Sequence, residues 1–209
     1  MNSHQIWEKY YRETPLEKIP WQKTQADYFT KLIDSNRIKP GTALDLGCGT
    51  GMKSVYLAQK GFNVTGIDIS ETAIKIAKEN AFKAKIKIEF LVADATDLNF
   101  LRDKIFDLVL DWANLHGIPE DKREEYICEV AKHVKRGGLM LLRCFAREDR
   151  DRNFVQREMG RIYSFSRKDI KKLYGEYFKI LEMNRSKPFI MKVRKPPARY
   201  LDEYLLERL

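Results

Sequence analysis

Long hydrophobic runs are missing from this chain: no apolar stretch approaches the ~20 residues that a membrane-spanning helix needs, so none is expected. Cysteine is scarce. Cys48, Cys128 and Cys144 are scattered without metal-ligand spacing and cannot all pair, which argues against a disulfide scaffold and leaves no metal site in view. Glutamine is also sparse, no segment repeats, and no linker is long enough to divide 209 residues into two domains. The stretch Met1 to Arg12 has acidic, aromatic and polar residues but no apolar centre, so a secretory signal is not expected and the cytoplasm is.

What is present is a globular balance of 44% hydrophobic and 33% charged residues, ample for a single α/β core. Thirty-nine Lys and Arg against thirty acidic residues leave a net charge of +9, which makes nucleic acid a partner to consider. The basic residues are nevertheless spread through Lys75 to Lys87, Lys122 to Arg136, Arg167 to Lys172 and Lys187 to Arg199. Spread charge of this kind usually covers solvated helix faces.

The most informative segment is Ala43 to Gly51, Ala-Leu-Asp-Leu-Gly-Cys-Gly-Thr-Gly, a short apolar strand running into three alternate glycines and then a helical stretch, Met52 to Gln59. Glycines there permit a sharp turn and a close approach by a ligand, while the first N–H groups of the new helix face what is bound. A dinucleotide fingerprint would need glycine at position 52, which is Met52. Gly47, Gly49 and Gly51 form G-x-G-x-G instead, with Asp45 on the strand before them. Cys48 reads as a compact filler of that turn, although a thiolate could also be stabilised at a helix start.

A second strand, Asn63 to Ile67, ends at Asp68, followed by Ile69 and Ser70. An acidic residue at that strand end can accept both ribose hydroxyls of a nucleoside, and its coupling to the glycine turn favours this over a helix-capping role. A third apolar alternation, Ile86 to Thr96, gives way to Asp94 and Ala95, and a fourth strand runs from Ile105 to Asp111. In that order, these strand ends resemble the class I S-adenosylmethionine-dependent methyltransferases. The resemblance implies S-adenosylmethionine as cofactor, glycines passing under its methionine and ribose parts, Asp68 on the ribose, Asp94 at the adenine amino group, and Asp111 facing the sulfonium and the acceptor.

The resemblance also implies a Rossmann-like doubly wound, seven-stranded, mostly parallel sheet closed by a carboxyl-terminal antiparallel β-hairpin. Tyr177 to Met183 and Phe189 to Val193 are the expected hairpin strands. The expected organisation is an amino-terminal helical, aromatic arm over residues 1–35, a core over 36–195 and a helical tail over 196–209, all one domain. In the tail, Tyr200, Leu201, Tyr204, Leu205 and Leu209 fall along one helical side, for docking on the core or for a homodimer contact; monomer and homodimer both remain open.

Acceptor choice depends on other segments. Ile6-Trp7-Glu8-Lys9-Tyr10-Tyr11 and Ile19-Pro20-Trp21 precede the core, an arrangement similar to the thiopurine, thiol and tellurite methyltransferase group, in which an aromatic arm closes over cofactor and small acceptor. Trp7, Tyr11 and Trp21 are therefore expected beside the cofactor, or else as anchors of a loose arm. The loop from Asp111 through His116 to Pro119 lacks both the Asn-Pro-Pro-aromatic sequence of base-amine methylation and the Pro-Cys of pyrimidine-carbon methylation. It is similar to the loop of the small-molecule group. Trp112 and His116 are expected to face the acceptor, with His116 and Asp111 as the catalytic candidates, since an imidazole titrates near neutrality. The expectation is methyl transfer to a small molecule; methylation of RNA or other nucleic acid, or a non-catalytic cofactor-binding module, are the alternatives.

Overall fold

The computed structural model describes residues 2–22, 27–147, 154–156, 160–186 and 200–209. Its elements in chain order are α1 (Ser3–Glu13), α2 (Tyr28–Asp34), β1 (Thr42–Leu46), α3 (Met52–Gln59), β2 (Asn63–Asp68), α4 (Glu71–Lys83), β3 (Glu89–Val92) and β4 (Phe106–Trp112). They continue with α5 (Arg123–His133), β5 (Val134–Ala146), β6 (Phe154–Gln156), β7 (Gly160–Ile162), β8 (Ser164–Phe165), α6 (Arg167–Tyr174), β9 (Phe178–Arg185) and β10 (Leu201–Arg208).

Seven strands lie in the order β3-β2-β1-β4-β5-β10-β9, with β8 adding an eighth beside β5 and β6-β7 forming a separate pair. The strands from β3 to β5 are parallel, and β10 runs antiparallel between β5 and β9. Strand order reverses direction at β1 and β4, so their carboxyl ends open the crevice where ligands of such sheets bind. The expected α/β Rossmann-like, mostly parallel sheet is found, with eight strands in place of seven.

Local sequence explains why the helices begin where they do. The side chains of Asn2, Asp27 and Ser166 accept from the third helical N–H and complete capping boxes for α1, α2 and α6, while Ser70 caps α4. One apolar layer, Phe29, Leu32, Ile33 and Leu57 against Leu108, Leu141 and Leu205, packs α2 and α3 on one face of the sheet. The other face packs Val109, Met140, Leu142, Tyr204 and Leu206 under Tyr126, Ile127 and Val130 of α5 and Tyr174 of α6.

The carboxyl end departs from expectation. Tyr200 to Leu209 does not form a helical tail: Leu201–Arg208 is a strand inside the sheet, with Tyr204, Leu205 and Leu206 at 0–2% exposure. Its sequence shows no alternation because a strand buried on both faces has none to show. Across the sheet Asp202 pairs with Arg185 at 2.7 Å, and Glu203 accepts from the Asn184 side-chain amide at 2.6 Å. The partner of β9 is therefore β10, and the expected strand Phe189 to Val193 lies outside the described residues. The strand β5 starts directly after α5, and Gly137 at φ +71° makes room for an irregularity in its pairing with β4.

Candidate active site

The strand β1 delivers the chain into the glycine turn, where Gly47, Gly49 and Gly51 have φ of +63°, +55° and +74°. Only glycine adopts such angles without strain. Space excludes side chains as well: a Cβ at Gly47 would meet Asn114 Oδ1 at 2.7 Å, one at Gly49 the Tyr11 hydroxyl at 2.7 Å, and one at Gly51 the Cβ of Ala77 at 2.8 Å. Cys48 is buried among Val55, Ile74 and Phe90, and burial raises its thiol well above its ordinary value, so it packs as a small apolar group.

Three buried carboxylates lie around this turn, and a fourth lies beyond β3. Asp45 is buried beneath it and accepts the Ser54 hydroxyl at 2.5 Å; burial pushes its pKa up to about 7. Asp68, at the end of β2, accepts the N–H groups of Gly49 at 2.8 Å and Ser70 at 2.9 Å, with burial raising it to about 6. Its neighbour Ile69 is half-buried. Asp111 accepts from the Asn114 and Leu115 N–H groups and from the Tyr126 hydroxyl at 2.7 Å, and burial raises it to about 6 as well. Asp94, by contrast, is exposed beyond β3, where it accepts from the N–H and hydroxyl of Thr96, while Ala95 is buried.

These shifts have one common physical cause. Desolvation penalises each buried carboxylate in its charged form, and Asp45 also feels Asp68 and Asp111. A cation brought into the turn would relieve that penalty. A sulfonium with an α-ammonium is such a ligand, so the donor set and the left-handed cradle both fit S-adenosylmethionine.

The arm lies over the same turn. Trp7, Tyr10, Tyr11 and Trp21 form a ring cluster in which Tyr10 stacks on Trp21 at 5.6 Å, and the Trp21 indole N–H donates to the Tyr11 hydroxyl. Glu8 fastens α1 to the start of α4 through the Ser70 hydroxyl at 2.7 Å and the Thr72 N–H and hydroxyl at 3.1 and 2.5 Å. The sequence reading missed this latch. Its signal was the coincidence of an acidic residue on the arm with the capping serine of α4.

The loop after β4 behaves differently from the expectation for its two acid–base candidates. Asp111 is fully committed to its three donors, which hold the turn from Asn114 to Gly117 against α5. His116 is 6% exposed, its ring lies 4.7 Å from that of Phe145, and burial, aided by the Arg143 charge, lowers its pKa to about 3. An imidazole so placed stays neutral at physiological pH rather than titrating near it.

Two cations beside this loop, Lys53 and Arg143, were not singled out in the sequence. Lys53, at the start of α3, pairs with Asp27 at 2.6 Å and sits over the Phe29 and Trp112 rings at 4.4 and 5.0 Å. Arg143 lies over Trp112 at 5.2 Å, within 3.5 Å of Glu203.

Comparison with known proteins accords with this geometry. Residues 43–138 match the family described as a methyltransferase domain. The chain is 29% identical over 150 residues to 2-heptyl-1-hydroxyquinolin-4(1H)-one methyltransferase of Mycobacteroides abscessus, covering 69% of this chain and 65% of that protein. It is 30% identical over 142 residues to ubiquinone biosynthesis O-methyltransferase of Rickettsia prowazekii, covering 67% and 54% respectively. A solved S-adenosylmethionine-dependent methyltransferase from Methanosarcina mazei superposes with a TM-score of 0.73 at 25% identity, over 85% of this chain and 97% of that one. The chain spans about half the length of the curated relatives it matches. Residues 43–138 thus match a methyltransferase domain, and the chain shares the fold of a solved S-adenosylmethionine-dependent methyltransferase.

Proposed function

We propose that the protein transfers the methyl group of S-adenosylmethionine to a small-molecule acceptor. The observation that carries this reading is the left-handed glycine turn ringed by buried, desolvated carboxylates under an aromatic arm. When bound, the cofactor supplies a methyl group on a cationic sulfur that leaves as a neutral thioether.

In this reading Gly47, Cys48, Gly49 and Gly51 form the floor of the cofactor site, and Asp45 offsets the positive methionine end from below. Asp68 holds the ribose hydroxyls beside Ile69, and Asp94 with Ala95 borders the adenine. Asp68 already accepts two backbone N–H groups, but each carboxylate oxygen has further lone pairs for a hydroxyl. Trp7, Tyr11 and Trp21 close the site, presenting π faces to the sulfonium and excluding water. Asp111 serves by fixing the loop that carries Trp112 and His116 to the acceptor side, and neutral His116 orients the acceptor without taking its proton.

Because displacement at carbon requires alignment more than charge stabilisation, holding the two partners in near-attack geometry can supply roughly 7–11 kcal/mol. A base is needed only for an acceptor protonated at working pH. Relatives named for a hydroxyquinolone and for ubiquinone biosynthesis support small ring compounds as acceptors, while the arm and loop resemble those of the thiol and tellurite group.

A labelled-methyl screen over thiols, phenols, amines, metalloid anions and RNA tests the reading. Transfer to a small molecule is expected. Label appearing only in RNA, or in nothing while the cofactor binds, would contradict it in favour of a nucleic-acid enzyme or a binding module.

A further inference from the structure

At the carboxyl end of β4, three side chains stand in register on one face of the sheet: Trp112 opposite Arg143 on β5, and Arg143 opposite Glu203 on β10. Burial has left polar atoms in this row unsatisfied. Among the described residues, Trp112 Nε1, Arg143 Nε and Glu203 Oε1 have no hydrogen-bond partner, and neither has His116 Nδ1 nearby. Arg143 Nε and Glu203 Oε1 lie 3.5 Å apart as an ion pair but do not align as a hydrogen bond. Glu203 is 1% exposed and Arg143 is largely covered. Buried polar groups are paired in the great majority of cases, so a run of unsatisfied ones at one strand end calls for a partner from outside the chain.

We propose that Trp112, Arg143 and Glu203 recognise the acceptor, and that this acceptor is a neutral planar ring carrying a hydrogen-bond acceptor beside a hydrogen-bond donor. The inference rests on the methyltransferase reading and specifies its substrate class. The two nitrogens offer N–H groups to an oxygen of the ligand, while Glu203 Oε1 accepts from the adjacent O–H or N–H.

Charge decides against an anion. Arg143 is neutralised by Glu203 and Lys53 by Asp27. The row therefore offers an anionic ligand no uncompensated cation. Aromatic side chains gather at this end of the sheet, which suits a planar ring: Phe145 lies one strand repeat beyond Arg143 with the His116 ring against it, and Tyr10 and Tyr11 of the arm pack into the same cluster as Phe145 and Leu201.

The test uses the full chain saturated with S-adenosylhomocysteine and titrated calorimetrically with 2-pyridone, catechol, phenol and benzoate. The first two carry neighbouring donor and acceptor groups, phenol lacks the second group, and benzoate is the anion. Pyridone and catechol should bind at least about tenfold tighter than phenol or benzoate, the difference one or two hydrogen bonds make. Trp112→Phe and Glu203→Gln should each weaken them about fivefold to tenfold without changing affinity for S-adenosylhomocysteine. Trp112→Phe removes an N–H that has no partner among the described residues, so a purely structural tryptophan predicts no loss. Unchanged pyridone and catechol binding in a folded Trp112→Phe protein, or preference for benzoate, overturns the inference while leaving the methyltransferase reading intact. A wild-type chain that fails to bind S-adenosylhomocysteine overturns both.

Discussion

Asp45 illustrates at the residue scale how the site trades stability for ligand binding. Its folded pKa of about 7 lies above the ordinary 3.8, so the native state keeps a proton that the unfolded chain releases first. Stability from this group is present at low pH and lost as pH rises from about 4 through about 7. Asp68 and Asp111 add the same sign up to about 6, whereas Glu8 and Asp107, held low by their hydrogen bonds, contribute the opposite trend. Asp45→Asn should therefore flatten the decline of stability between pH 4.5 and 7.5 in denaturant titrations. Identical slopes for both proteins would mean that Asp45 is not desolvated. The glycine spacing and Asp68 were legible in sequence because backbone angle and strand end are local properties. Arg143, Lys53 and Glu203 were not, since their burial and pairing arise from strands and helices far apart in the chain.

Elements make the contrast sharper. The parallel half of the sheet was readable from β1 to β4 because each strand is a short apolar run closed by a polar turn. The sequence of β10 fits two periods: its spacing of Tyr204, Leu205 and Leu209 suits a helix, and only the cross-strand partners of Asp202 and Glu203 select the strand. Burial of Leu201, Tyr204, Leu205 and Leu206 is worth roughly 1.5–3 kcal/mol each, comparable in sum with the ~5–15 kcal/mol that stabilise a domain. Deleting residues 200–209 should accordingly abolish cooperative unfolding and soluble expression, as read by circular dichroism melts. A truncated protein with a normal melt would refute the central placement of β10.

The arm is a second element whose behaviour can be measured. Glu8 supplies three of its hydrogen bonds to α4, and a bond to a charged acceptor contributes roughly 1.5–3 kcal/mol. Glu8→Gln should increase amide exchange across α1 by about tenfold or more, as a loss of at least 1.4 kcal/mol dictates, while leaving β1 and β4 protected. Exchange in α1 equal to wild type would assign the docking to the ring cluster alone.

For the whole molecule, the doubly wound sheet fixes where chemistry can occur, and everything that distinguishes this chain sits at one end of it: the glycine turn, the buried acids, the arm and the Trp112–Arg143–Glu203 row. The net charge of +9 is the excess of Lys and Arg over acids along the whole chain, while Lys9, Lys60, Lys104, Lys132 and Lys135 are offset by acidic partners in exposed ion pairs. The central claim is that the glycine turn with Asp68 binds the nucleoside of S-adenosylmethionine. Calorimetric titration of the wild-type chain and Asp68→Ala with S-adenosylhomocysteine tests it most directly. One saturable site per wild-type chain is expected, with affinity at least about tenfold weaker in a folded Asp68→Ala protein, because a hydroxyl bond to a carboxylate is lost. Equal affinity in the two proteins, or tighter binding of NAD than of S-adenosylhomocysteine, would contradict it.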